Sequence, residues 1–211
     1  MGILANKTLV ALGDSLIYGN KSGTQYTWPS LLAQQENMTV YNHGVNGNTI
    51  AYVEGHSEPM CRRFLQMEDG ADYVVLLGGA NDRRLNVPLG ELDSKDETTF
   101  MGALNILAEG LLEKYPKAKL LFMTNYNRKK KPNDLGLRDI DYVDAMLTVA
   151  ARYAIPCFDN YRQGGLSFQN LSQRPWIDEA LALGEEKPNY HFSKEAYQWL
   201  LPKYAALLKG L

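Results

Sequence analysis

A chain of 211 residues with 45% hydrophobic and 22% charged residues has the composition of a globular domain able to bury a sizeable core. Its 22 basic and 24 acidic residues leave a formal charge of −2, so no overall charge draws it to nucleic acid or to an anionic membrane. No apolar run is long enough to span a bilayer, and no repeat, low-complexity tract or linker divides the chain. One domain over residues 1–211 is expected.

The elements alternate in type along the chain. "TLVALG" (8–13) is a short β-type run that leads straight into a polar turn. It therefore reads as a core strand and not as a signal peptide, and a cytoplasmic location is expected unless a leader precedes it. "YTWPSLLAQQ" (26–35) reads as a helix with Pro29 in the first turn, where the missing N–H is harmless. "MTVYNHG" (38–44) is a second strand, and residues 51–68 are predicted helical on the pattern of Val53, Met60, Phe64 and Leu65. "DYVVLLGG" (72–79) is a nearly continuous apolar run, as a central parallel strand requires.

Phe100, Ala103, Leu104, Leu107, Leu111 and Leu112 mark one face of a helix. "AKLLFMTN" (118–125) is a fourth strand, Ile140 to Ala150 a further helix, and "AIPCFDN" (154–160) a fifth strand. A last helix carries Ala196, Leu200, Tyr204, Leu207 and Leu208, with Ser193 placed as its N-cap. Strands alternating with helices imply right-handed crossovers and an α/β fold with a parallel sheet covered on both faces. In such a sheet the site lies beyond the carboxyl ends of the strands. The long irregular stretches are 83–97 and 161–190.

Chemistry-bearing residues fall at those strand ends. "GDSL" puts Ser15 after strand one, "GVNGNT" puts Gly47 after strand two, and "GGAND" puts Asn81 after strand three. A serine needs a base to take its proton, and the oxyanion formed by its attack needs preorganised donors. His191 in "NYHFSKEAY", just before the last helix, is the candidate base. The Ser15 amide, the Gly47 amide and the Asn81 side chain are candidate oxyanion donors. Taken singly, each has a bland alternative: a turn serine, a positive-φ glycine, a capping asparagine, a satisfied histidine. The other histidines, His43 and His56, and the two cysteines, Cys61 and Cys157, form no metal-ligand spacing or disulfide framework.

Together, in this order, these blocks resemble the SGNH, or GDSL, hydrolase superfamily. Its members carry serine in G-D-S, glycine in G-x-x-G-x-T, asparagine in G-x-N-D and histidine before the C-terminal helix. "WPSLL", "YPKAKLLFMT" and "YAIPCFDNY" are also similar to segments of bacterial members. The resemblance covers essentially the whole chain. It implies a flavodoxin-like three-layer α/β/α sandwich with a five-stranded parallel sheet. It also implies esterase, lipase, thioesterase or carbohydrate-deacetylase activity without a metal or organic cofactor.

One element of the pattern is missing. Most members place Asp three residues before the histidine, and here that position is Pro188. The group orienting His191 is then the Pro188 backbone carbonyl, a carboxylate of Glu185 or Glu186, or Asp178. A carbonyl can only accept, so it would select the tautomer with hydrogen on Nδ1, though without the charge that stabilises an imidazolium.

The expected substrate is a small acyl ester or an acetylated carbohydrate, with no nucleic acid and no membrane insertion; assembly into a homo-oligomer is left open. Tyr26, Trp28, Arg83 and Arg84 are candidates for the rim. The basic run "NRKKKPND" (127–134) reads as a solvated loop in preference to a phosphate site. Two other readings compete with a serine esterase. One is a catalytically weak domain of this fold that binds acetylated carbohydrate or peptide. The other is a nucleotide or flavin binder using Gly13 to Gly19, which the lack of G-x-G-x-x-G or G-K-[ST] disfavours.

Overall fold

The computed structural model describes residues 2–128 and 130–211. Five parallel strands, β1 (Thr8–Gly13), β2 (Thr39–Gly44), β3 (Tyr73–Leu77), β4 (Lys119–Met123) and β5 (Cys157–Phe158), form one sheet in the order β2-β1-β3-β4-β5. All five residues of the central β3 are buried, which accounts for its unbroken apolar run.

Alternate strand residues feed two cores. Val10, Leu12, Val74, Leu76 and Phe122 pack on one face against the helices α3 (Met60–Arg63), α5 (Phe100–Lys114) and α6 (Asp139–Arg152). Leu9, Ala11, Val75, Leu77 and Met123 pack on the other against α1 (Ser15–Tyr18), α2 (Trp28–Glu36) and α9 (Lys194–Gly210). The result is the expected three-layer α/β/α sandwich. Short helices α4 (Ala80–Arg84) and α7 (Asn160–Gln163) lead into the two stretches expected to be irregular, and α8 (Glu179–Ala182) interrupts the second.

Four features set the geometry at the carboxyl ends of the strands. Thr99 and Ser193 cap α5 and α9, accepting from the Gly102 and Ala196 amides. Gly44 ends β2 where a Cβ would lie 2.2 Å from the Tyr18 backbone nitrogen, so only glycine lets β2 close on α1. The expected helix over 51–68 is helical only from Met60 onward. The Ile50 and Ala51 amides are drawn away to the Asp82 carboxylate, the Tyr52 amide goes to the Glu97 carbonyl, and Pro59 stands where the helix begins. Likewise β5 is two residues long where seven were expected. Ala154 has a positive φ of 52°, and Pro156 has no N–H for the ladder, though its carbonyl still accepts from Phe122.

Among the described residues, no helix is long and apolar enough to cross a membrane. Cys61 is buried and Cys157 half-buried, and burial pushes both thiols up to about 12.

Candidate active site

Ser15 sits on the turn from β1 into α1. The preceding Asp14 caps that helix, its Oδ1 accepting the Leu16 amide at 3.0 Å. Asp14 is buried, and burial lifts its carboxyl to about 6 against the opposing pull of the Leu16 amide and Arg128. At the other end of the chain, His191 reaches across from the segment between α8 and α9. Its Nε2 lies 2.8 Å from Ser15 Oγ.

Asn81, 9% exposed, stands in the first turn of α4. Arg84 Nε donates to its Oδ1 at 3.1 Å, which fixes the amide with nitrogen inward. That nitrogen donates to the Asn48 carbonyl at 3.1 Å; its second hydrogen is only weakly engaged, with Asp14 Oδ2 at 3.5 Å. Gly47, with φ +73°, is next to Asn48 on the turn after β2, and a Cβ there would come within 4 Å only of Arg84 Nη2, at 3.7 Å. Neither the Ser15 nor the Gly47 amide donates to another described residue.

Two charged side chains hold the Gly47 turn in place. Arg63 donates to Asn48 Oδ1 at 2.9 and 3.1 Å and to the His43 carbonyl at 3.1 Å. Asp82, fully buried, accepts from the Ile50 and Ala51 amides at 2.9–3.0 Å, and burial lifts its carboxyl to about 7. The aspartate of "GGAND" is therefore a clamp on the neighbouring turn.

His191 Nδ1 is buried and makes no hydrogen bond. None of the four groups expected there serves it. The Pro188 carbonyl does not accept from it. Glu185 is exposed and pairs with Lys21 at 2.5 Å, and Glu186 is exposed. Both Asp178 oxygens are engaged elsewhere, one accepting the Leu181 amide at 3.1 Å as the α8 cap and the other the Tyr190 amide at 2.5 Å.

The acid facing Nδ1 is Glu179, which the sequence reading missed. Its Oε1 is 3.9 Å from Nδ1, and its side chain is 2% exposed. Asn20 Nδ2, the Lys21 amide (3.2 Å) and Asn189 Nδ2 (3.0 Å) donate to Oε1, and the Ser22 amide (2.7 Å) and hydroxyl (2.9 Å) to Oε2. No local spacing marks Glu179. It is placed by tertiary pairing, in which the Glu179 amide donates to the His191 carbonyl at 2.7 Å and the Ser193 amide to the Trp176 carbonyl at 2.8 Å. Burial lowers the pKa of His191 below its ordinary 6.5, and the charges of Glu179 and Asp178 oppose that shift.

Tyr190, just before the histidine, has φ +61°, a left-handed backbone that is costly for a bulky residue. It is held from several sides. Asp178 takes its amide, Tyr126 Oη donates to its carbonyl at 2.8 Å, and the Phe168 ring lies against its own at 4.7 Å.

Ser15, Asn81 and His191 line one small cleft with ≈ 190 Å³ of open space. Gly47 does not line it. Arg83, Arg84, Arg128, Lys130, Asn125 and Tyr190 complete most of the wall. Two expectations are corrected here. Arg128 and Lys130, from the basic run read as solvated, face the cleft. Trp28 and Tyr26 do not: Trp28 is buried edge-on against Tyr204 at 5.2 Å, and the Tyr26 ring lies under Lys194. His43 is likewise elsewhere, with its Nε2 2.6 Å from Glu68.

Among solved structures, one is 32% identical, with a TM-score of 0.88 over 100% of this chain and 99% of that one. A protein from Lactobacillus plantarum is 26% identical, with a TM-score of 0.82 over 98% of each chain. A carbohydrate acetylesterase family member from Sinorhizobium meliloti, at 16% identity and a TM-score of 0.63 over 97% of this chain and 100% of that one, shares the fold. No curated protein matches the chain. The family profile described as GDSL-like Lipase/Acylhydrolase matches residues 11–199, a span that takes in both Ser15 and His191. From that match the chain belongs to the GDSL-like lipase/acylhydrolase family.

Proposed function

We propose that the protein hydrolyses short-chain acyl esters, O-acetyl groups on carbohydrate included, through an acyl-enzyme on Ser15. The observation that carries this is the 2.8 Å approach of His191 Nε2 to Ser15 Oγ, inside a cleft that also holds the Asn81 amide. The Ser15 hydroxyl donates to Nε2. As Oγ bonds to the carbonyl carbon, its proton passes to Nε2 and the carbonyl oxygen takes the negative charge. The Ser15 amide and Asn81 Nδ2, which line the cleft, receive that oxyanion; Gly47, expected to join them, does not line it. The carbon–alkoxide bond then breaks, and His191 returns the proton to the leaving alcohol. Water repeats the sequence on the acyl-enzyme and releases the acid.

The charge of Glu179 offsets the imidazolium formed in both steps. Closing the 3.9 Å gap to a hydrogen bond takes a shift of about 1 Å. The small cleft suits a short acyl group. Ordinary ligand pockets hold about 300–1,000 Å³.

A second reading is favoured by one observation, the unbonded Nδ1. It is a catalytically weak domain that binds acetylated carbohydrate or peptide. A fluorophosphonate probe separates the two, since only an activated serine is labelled. Labelling of the wild type and not of Ser15→Ala supports the hydrolase. No labelling, with an acetylated sugar still bound, supports the second reading. p-Nitrophenyl esters from acetate to laurate, run beside an acetylated sugar, then define the acyl range.

A further inference from the structure

We infer, resting on the hydrolase reading above, that the cleft takes an ester bearing an anionic substituent, a carboxylate or a phosphate, held by Arg84, Lys130 and the Asn125 amide beside Ser15. Four cationic side chains line this one cleft: Arg83, Arg84, Arg128 and Lys130. The carboxylate that faces Arg83 and Arg128 is Asp139, at 3.8 and 2.5 Å, from behind the wall. Arg84 and Lys130 have no carboxylate at ion-pair distance among the described residues. Arg84 spends Nε on Asn81, and Lys130 Nζ lies 3.2 Å from the centre of the Tyr190 ring. Burial and the charges of Arg128 and Arg83 push the Lys130 ammonium below its ordinary range.

The second observation is independent of charge. Asn125, 5% exposed, follows β4 and lines the same cleft, and neither its Nδ2 nor its Oδ1 has a hydrogen-bond partner. A buried amide with both ends unpaired is costly, and a ligand group in the cleft relieves the cost. Cations gathered at one half-buried place repel one another and lose hydration. A purely apolar or neutral acyl group would leave both penalties standing. An oxyanion group accepts from the Asn125 nitrogen and from the two cations that lack a carboxylate partner among the described residues.

The test compares matched esters. 4-Nitrophenyl hydrogen glutarate is set against its neutral methyl ester, and acetylglycerol phosphate against acetylglycerol. The wild type should favour the charged member of at least one pair by about tenfold or more in kcat/KM, and the preference should shrink as salt is raised. The pair that shows it identifies carboxylate or phosphate. In Lys130→Gln the ratio of charged to neutral rates should collapse, and in Lys130→Glu it should invert. Binding of monomethyl glutarate and glycerol phosphate to Ser15→Ala, measured by calorimetry, is read without turnover. If no ester is hydrolysed but an anion binds Ser15→Ala and not its Lys130→Gln double variant, the hydrolase reading fails and the anion subsite stands. Hydrolysis of both members of each pair at equal rates and independently of salt overturns the inference. So does a charge preference that Lys130→Gln leaves intact. The salt dependence needs no variant, so a misfolded substitution does not remove the test.

Discussion

Glu179→Gln is the substitution that most directly probes the arrangement behind His191. It removes a charge 3.9 Å from Nδ1 while keeping the shape of the side chain. At an effective dielectric of about 20, two unit charges at that separation interact by about 4 kcal/mol, so up to about 10³ in kcat/KM is at stake when the imidazolium forms. The amide also turns N–H groups toward donors now aimed at the carboxylate, among them the Lys21 and Ser22 amides, so a stability loss of about 1–3 kcal/mol accompanies it. The pH profile separates the two effects. Burial lowers the pKa of His191 and Glu179 raises it, so loss of the carboxylate lowers it further. The base works neutral, so the acid limb of kcat/KM should move to lower pH while the plateau falls. Ser22→Ala keeps the charge but removes one hydrogen bond to it, and should cost stability without moving the limb. The assay is hydrolysis of p-nitrophenyl acetate over roughly pH 5 to 9, with the melting temperature of each variant. A folded Glu179→Gln enzyme within about tenfold of the parent, with an unmoved limb, would refute the reasoning.

Ser15→Ala should abolish ester hydrolysis, by about a thousandfold or more, with the melting temperature nearly unchanged; residual hydrolysis by the purified variant checks it. Asn81→Ala should lower kcat by about 2.7–4 kcal/mol in activation free energy with little change in KM, measured by steady-state kinetics; a change confined to KM would mean that Asn81 binds the ground state. Asp82→Ala should destabilise the fold by about 1–3 kcal/mol for each stranded amide of Ile50 and Ala51, read by denaturant unfolding. Burial lifts Asp82 from 3.8 to about 7, so the native state keeps a proton that the unfolded chain releases; the stabilisation from that proton is present in acid and fades as pH rises through this window, and Asp82→Asn should flatten the slope.

Much of the fold was legible because its signals are local. β1 and β3 read as strands from short apolar runs, and Ser193 read as a cap from its place before an amphipathic helix. Ser15 and Asn81 were legible because they stand at the ends of those strands, where a parallel sheet puts its site. What was lost depended on distant partners. Nothing near residues 50–52 announces that Asp82 and Glu97 take their amides, so the helix was extended too far. Glu179 is the immediate neighbour of Asp178, which the sequence does offer as a candidate, and no local spacing tells the two acids apart. Arg128 and Lys130 read as solvated because a basic run carries no sign of which side chains turn inward.

Asp178 and Glu179 are consecutive, yet they do different work, and the difference follows from the helix boundary between them. Asp178 is the N-cap of α8, with extended backbone, and its side chain turns onto the Leu181 amide while its other oxygen takes the Tyr190 amide. Glu179 is the first helical residue, and its side chain leaves in a different direction, toward Ser22 and the imidazole. One carboxylate thus holds the left-handed backbone of Tyr190, and the next supplies the charge behind His191. The two tasks are coupled through the chain, because Tyr190 positions the histidine that Glu179 faces. Loss of the aspartate three residues before the histidine is therefore not repaired by any nearby acid. Glu185 and Glu186 are closer in sequence, but they lie beyond α8, exposed, where no hydrogen bond turns them inward. An acid in this fold acts on the histidine when a buried set of donors holds it there, and among the described residues Glu179 is the one so held at Nδ1.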